Sequence, residues 1–151
     1  PSSPEDQKSG FPVVPSPMGP LLWGNTWDAV MELGGGIDPE ARGRFFGRAR
    51  GGMMWAREPF FVALGATPEV GPYAPLAAGL QVEVAHIWTG LWANMGASLD
   101  MEGRPAALLG AGWSIFGAEA RYQSLGEGES TWALFGKLWL PIRHLVFALT
   151  R

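Results

Sequence analysis

Four arginines occupy even-numbered positions of one short segment, and guanidinium groups are the side chains that proteins use to bind anions or to pair with carboxylates. Residues 42–55 alternate without a break, so an extended chain there has two chemically different faces. One face carries Arg42, Arg44, Arg48 and Arg50, and the other carries only apolar residues and glycine. The segment therefore predicts a strand with one strongly cationic face, which either binds or conducts anions or is neutralised by acids.

Other residues give weaker indications of chemistry. His86 lies three residues after Glu83, a spacing that allows an acid–base or metal pair, but no third ligand accompanies them and a strand-end histidine explains the pattern better. Ser114 could be combined with a distant histidine and acid into a catalytic triad, but any chain of this size allows such a combination. The glycine run at 34–36 fits the end of a hairpin without a phosphate ligand. We therefore expect no catalytic residue, no metal site and no cofactor.

The composition excludes several classes of protein. The 151 residues are 47% hydrophobic and 17% charged, which is too polar for a bundle of membrane helices and low in charge for an ordinary soluble domain. The 22 glycines disfavour helices, and the eight tryptophans suit a membrane interface. There is no cysteine, hence no disulfide and no thiolate metal site. The net charge of −3, without a basic surface, argues against a nucleic-acid partner.

The elements that position the arginines are predicted from alternation and turn residues. Residues 1–20, rich in proline and serine, are expected to form an extended or disordered tail, and 21–151 the folded domain. The predicted strands are 21–36, 42–55, 60–66, 80–87, 91–102, 106–123 and 132–140, with a last one after Pro141. A loop is predicted at 67–75 and turns at 88–90 and Pro141. The fold class is thus all-β, an antiparallel up-and-down barrel of eight strands. If the chain forms bulges rather than turns at 88–90 and at Pro141, the barrel has six strands.

Acids share the cationic face of the predicted sheet. In a hairpin of the first two strands, Asp28 and Glu32 lie on the same face as the arginine row, where opposite charges on neighbouring strands attract. Asp100, Glu102 and Glu119 are expected to add to this neutralisation. Aromatic residues near strand ends are expected at a membrane interface, namely Trp23, Trp27, Trp55, Trp88 and Trp132.

Residues 42–55 and 106–122, with the run Leu109-Gly110-Ala111-Gly112-Trp113-Ser114, resemble small outer-membrane β-barrel proteins of Gram-negative bacteria in their alternation of small, apolar and tryptophan residues. The resemblance covers most of residues 21–151 and is one of general pattern, since no family signature is matched. It implies apolar side chains directed toward lipid and charged ones directed inward.

Two architectures are compatible with the same alternation, and they differ in which face of the strands points into the barrel. They lead to different functions. The first is a barrel of the bacterial outer membrane with a structural or interaction role, a subunit of an envelope assembly, with the lipid bilayer and other envelope proteins as partners. Its interior would be plugged by arginine–acid pairs, and a narrow anion-preferring pore is a variant that the small diameter disfavours. The second is a soluble periplasmic or secreted barrel, similar to a lipocalin, that binds an apolar ligand inside. Neither is expected to be an enzyme.

Overall fold

The computed structural model describes residues 23–57, 59–142 and 149, with side chains from residue 27 onward. Within these residues the chain forms eight antiparallel strands, each hydrogen-bonded to its neighbours in sequence, and the last strand pairs with the first to close a barrel. The strands are β1 (Trp23–Ile37), β2 (Gly43–Arg57), β3 (Phe60–Val70), β4 (Ala77–His86), β5 (Leu91–Asp100), β6 (Pro105–Trp113), β7 (Phe116–Gly126) and β8 (Glu129–Pro141). The predicted tail at 1–20 lies outside the described residues. No described helix is both long and apolar enough to cross a membrane.

The barrel has two distinct ends. At the terminal end β1 begins, β8 ends, and short turns join β2 to β3, β4 to β5, and β6 to β7. At the distal end the connections are 38–42, 71–76, 101–104 and 127–128. Closure removes the free sheet edges that would otherwise attract other strands.

Burial alternates along every strand, and it is the polar face that is buried. On β3, for example, alternate positions from Ala63 to Glu69 are buried while the residues between them are exposed. On the outer face of the described strands, the one charged residue is Arg57, at the last position of β2. Large exposed outward residues include Leu33, Met53, Leu64, Val84, Met95, Leu109, Leu134 and Leu138. The barrel therefore has an apolar wall around a charged interior.

The prediction of a single strand over 106–123 is wrong. A two-residue turn, Ser114 and Ile115, separates β6 from β7, and Trp113 pairs with Phe116 across it. Because this turn resets the alternation, Glu119 and Arg121 point inward although they share parity with the apolar residues of β6. Ser-Ile lacks the glycine or asparagine that usually indicates a tight hairpin, which explains the error.

Two further predicted boundaries are corrected. The loop expected at 67–75 is shorter, because β3 continues to Val70 and β4 begins at Ala77. Pro68 is accommodated on the outer face, where β2 and β3 form no pair at that residue, so its missing amide hydrogen breaks no ladder bond. Pro141 is the last residue of β8 and not a turn. The strand expected after it falls mostly outside the described residues, and the predicted count of eight is confirmed with a different set of breaks.

Candidate functional site: the ion-paired interior

Arg48 lies at the centre of the interior and joins four strands. Its Nε donates to Glu32 on β1 at 2.8 Å, and one terminal nitrogen donates to Glu69 on β3 at 3.1 Å. The guanidinium also makes a two-pronged contact with Glu119 on β7. All four side chains are buried. A buried arginine that contacts three carboxylates has every direction of its planar fork satisfied.

Two more cations extend this network. Lys137 on β8 donates to Glu32 at 2.7 Å and to Glu119 at 3.1 Å, so both carboxylates are shared between two bases. Arg121 on β7 binds Glu69. Contacts through five strands thus tie opposite walls of the barrel to one another, and no pair can be removed without unbalancing its neighbours.

A second cluster lies next to it on the terminal side. Arg50 binds Asp28 through Nε at 2.8 Å and Glu83 through both terminal nitrogens, at 3.0 and 3.2 Å. The indole nitrogen of Trp139 also donates to Glu83, at 3.1 Å. The buried carboxylates of the two clusters are Asp28, Glu32, Glu69, Glu83 and Glu119, and the buried bases are Arg48, Arg50, Arg121 and Lys137. Among the described residues the interior charge is therefore close to balanced.

Aromatic layers cover the network on both sides. Toward the distal end, Phe46 and Phe135 pack edge to face with ring centroids 5.2 Å apart, and the Arg48 guanidinium stacks 4.7 Å from the Phe46 ring. Toward the terminal end, Trp92 and Trp139 stack with centroids 6.1 Å apart. The charged layer therefore lies between two layers of aromatic rings.

Inward glycines make room for these large rings. A Cβ on Gly34 would lie 2.1 Å from a ring carbon of Phe46, and one on Gly112 or Gly117 would lie within 2.5 Å of the Trp92 indole. The abundance of glycine, which in the sequence indicated only that helices are disfavoured, thus has a packing cause inside the barrel.

The distal mouth is held by Asp38. Its carboxylate accepts the backbone amides of Glu40 and Arg42 and the guanidinium of Arg44. Burial by itself raises the pKa of Asp38, but the hydrogen bonds from these groups outweigh it and hold the pKa below its usual value. The cluster fixes the turn between β1 and β2.

The structure brings together only part of the predicted lumen set. Arg48, Arg50, Asp28 and Glu32 are buried inside, and Arg44 lies at the distal mouth. Arg42, expected in the lumen, lies on the outer turn with its side chain 60% exposed, because β2 begins only at Gly43. Asp100 and Glu102, expected to neutralise the arginine row, instead bind Arg104 at the β5–β6 turn.

The predicted interface tryptophans lie toward both ends of the wall. Trp55 on β2 and Trp88 in the β4–β5 turn are at the terminal end, and Trp132 is on the outer face of β8 near the distal end. Trp27 is exposed on the outer face of β1. Trp23 begins β1, but its side chain lies outside the described residues.

Several interior residues were not predicted. Glu69 was placed in the predicted loop, and Arg121 in a single strand over 106–123 where it shares the parity of the apolar residues, so these two boundary errors concealed both. Glu83 and Lys137 had the correct alternation, but no ion-pair partner was predicted for either. Both amide atoms of Gln81 and Oδ1 of Asn94 are buried without a protein partner. These buried polar atoms lie beside the ion pairs, since the Asn94 amide nitrogen contacts Glu32 and Glu83 at 3.5 Å.

Fold and interior together define a closed eight-stranded antiparallel barrel with an ion-paired core and an apolar wall. Comparisons with protein families, with curated proteins and with solved structures found no match to this chain.

Proposed function

We propose that this protein is a β-barrel of the bacterial outer membrane with a structural or interaction role in the cell envelope, and that its interior is a closed plug. The observation that carries the proposal is that the wall is apolar on its outer face and charged on its inner face, the reverse of a soluble barrel. Residues such as Leu64, Met95 and Leu109 are about half exposed in the middle of their strands, while Arg48 and Glu119 are buried. An outward apolar band around a polar interior is the arrangement that a barrel needs in lipid.

The apolar outer face and charged interior also weigh against the soluble alternative. A barrel similar to a lipocalin would bury its apolar face and present charges to water. Here the apolar surface continues around all eight strands, and a soluble monomer rarely exposes apolar patches of more than a few hundred Å². The middle of the interior is occupied by ion pairs rather than by a cavity for an apolar ligand.

A plug is favoured over a pore by the contacts across the barrel axis. Arg48 reaches from β2 to Glu119 on β7, and Arg121 reaches from β7 to Glu69 on β3, the strand opposite. An eight-stranded barrel is just wide enough for its side chains to fill, so these pairs leave no continuous lumen. With the interior filled, the outer wall and the two ends are the surfaces that contact lipid and other envelope proteins.

Refolding with and without lipid tests the membrane assignment. The purified chain would be diluted from urea into short-chain phosphatidylcholine vesicles and, in parallel, into buffer alone. We expect a β-type circular dichroism spectrum, and different gel mobility of unheated and heated samples, only with vesicles. A monodisperse, β-rich monomer in buffer alone would contradict the proposal and favour the soluble barrel.

Planar-bilayer recording tests the plug separately. A closed interior predicts no steady conductance from the inserted wild-type protein. A steady, anion-selective current would overturn the plug while leaving the membrane assignment intact, and would support the pore.

A further inference from the structure

An apolar cavity opens at the terminal end of the barrel, inside the ring of strands and below the ion-paired layer. Its volume is about 220 Å³. The walls come from five strands and are mostly apolar, namely Met54, Ala56, Phe61, Ala85, Trp92 and Trp139. The polar members of the lining, His86 and Ser114, belong to the strand end and turn at that end, and His86 is bonded to Thr89. Nothing in the plug or in the proposed role of the outer wall uses this space.

The two largest side chains that line the cavity, Trp92 and Trp139, have their indole nitrogens hydrogen-bonded. The indole nitrogen of Trp92 donates to the backbone oxygen of Ser114 at 2.9 Å, and that of Trp139 donates to Glu83 at 3.1 Å. Both tryptophans therefore offer only ring surface to the cavity. Apolar cavities without polar partners stay dry, and one of about 150 Å³ is large enough to bind benzene.

The position of the cavity limits what can occupy it. An eight-stranded barrel is only side-chain wide, so the folded surface of another protein, or of a second copy of this chain, cannot enter. The tryptophan rings separate the cavity from the ion pairs, and the carboxylate of Glu83 next to Trp139 is already paired with Arg50, so a polar group has no partner there. A slender apolar group that enters from the terminal end fits both limits.

We propose that this cavity binds the hydrocarbon chain of a single-chain amphiphile, with its polar head left at the terminal mouth. A chain of roughly six to ten carbons matches the volume when compared with the benzene-sized cavity above. The gain in binding comes from removing the chain and the indole faces from water, about 0.8 kcal/mol for each methylene group buried. The proposal does not depend on lipid around the outer wall, since the cavity lies inside the ring.

Brominated octanoates test the site, because bromine quenches tryptophan fluorescence on contact. The protein would be titrated with 8-bromooctanoate and with 2-bromooctanoate in whichever medium it folds, vesicles or buffer. We expect saturable quenching that is stronger for the 8-bromo isomer, because the chain end reaches Trp92 and Trp139, and competition by unlabelled octanoate. Quenching that rises in proportion to the probe, and is equal for the two isomers, means simple partition into lipid and overturns the proposal.

A pair of leucine variants locates the site. Ala56→Leu fills the cavity from its wall, whereas Ala93→Leu adds the same volume on the outer face of β5. We expect Ala56→Leu to weaken octanoate binding by about tenfold or more and Ala93→Leu to leave it unchanged. Equal binding by both variants overturns the proposal. If Ala56→Leu does not fold, the comparison of the two bromo isomers on the wild type still decides it.

Discussion

At the scale of single residues, the interior depends on charges that are stabilised only together. Removing ions from water costs several kcal/mol each, and their attraction repays this only when the geometry is good and the remaining lone pairs are satisfied. Arg48 meets that condition through three carboxylates. The loss of one partner is therefore more damaging than the loss of an average ion pair.

Replacing Arg48 with methionine keeps much of the side-chain volume but removes the cation that three buried acids share. We expect Arg48→Met to lower the free energy of unfolding by about 3–5 kcal/mol, measured by urea unfolding of the refolded protein. Arg42→Met is the matched control, since the Arg42 side chain is 60% exposed, and it should change stability by less than about 0.5 kcal/mol. Equal effects of the two substitutions would contradict the central role of Arg48.

Inward glycines give a second prediction for single residues. A Cβ on Gly112 would lie 2.2 Å from the oxygen of Phe116 and 2.3 Å from the Trp92 ring, whereas one on Gly51 would meet nothing within 4 Å. Gly112→Ala should therefore destabilise the barrel by about 1–3 kcal/mol through overpacking, while Gly51→Ala should be neutral or slightly stabilising. Urea unfolding of the two variants side by side is the measurement, and a neutral Gly112→Ala would contradict the tight packing both of the Trp92 ring and of the β7 backbone at Phe116.

At the scale of elements, the β6–β7 hairpin is joined by a turn that its sequence does not favour. Ser114 has a φ of 54°, in the left-handed region where a Cβ is strained. Glycine is the preferred residue at the first central position of such a two-residue hairpin turn when φ is positive. The Trp92 indole binds only the backbone oxygen of Ser114, so that contact does not depend on the serine side chain.

Ser114→Gly should consequently stabilise the hairpin. We expect a gain of about 0.5–1 kcal/mol in the free energy of unfolding, because relief of the strained φ exceeds the entropic cost of glycine. Gly103→Ser, at a turn glycine whose φ is 75° and whose Cβ would meet nothing within 4 Å, is the reverse control and should destabilise the protein. A loss of stability in Ser114→Gly would mean that the serine side chain contributes to the turn.

The same elements show how far the sequence could be interpreted. Within β1 and within β2 the alternation has no break, so the shared face of Asp28, Glu32, Arg48 and Arg50 could be derived from period two and the hairpin between the strands. The Ser114–Ile115 turn could not, because neither serine nor isoleucine favours the positive φ that Ser114 adopts there. The pairing of Lys137 with Glu32 could not be predicted either, because the two residues are 105 positions apart and only closure between β8 and β1 brings them together.

At the scale of the whole molecule, the inner and outer faces of the barrel are stabilised in different ways. The inner face satisfies its charges by pairing across the axis, as Arg48 does with Glu119, and closes both sides of that layer with aromatic rings. Between the ends of the described strands, the outer face carries no charged residue and is mostly apolar. The pairing therefore fixes the shape of the barrel, and the wall determines the medium in which the barrel is stable.

An arginine introduced on the outer wall, either in the middle of a strand or at its end, tests whether lipid or water surrounds the barrel. Met95 is exposed in the middle of β5, and Met101 is exposed in the turn that follows the same strand. In a bilayer, arginine costs about 2–4 kcal/mol at the midplane and about 0–1 kcal/mol near an interface. Met95→Arg should thus lower stability in vesicles far more than Met101→Arg, measured by urea unfolding monitored with tryptophan fluorescence. In water both positions would tolerate arginine equally, so two variants that match the wild type would overturn the membrane assignment.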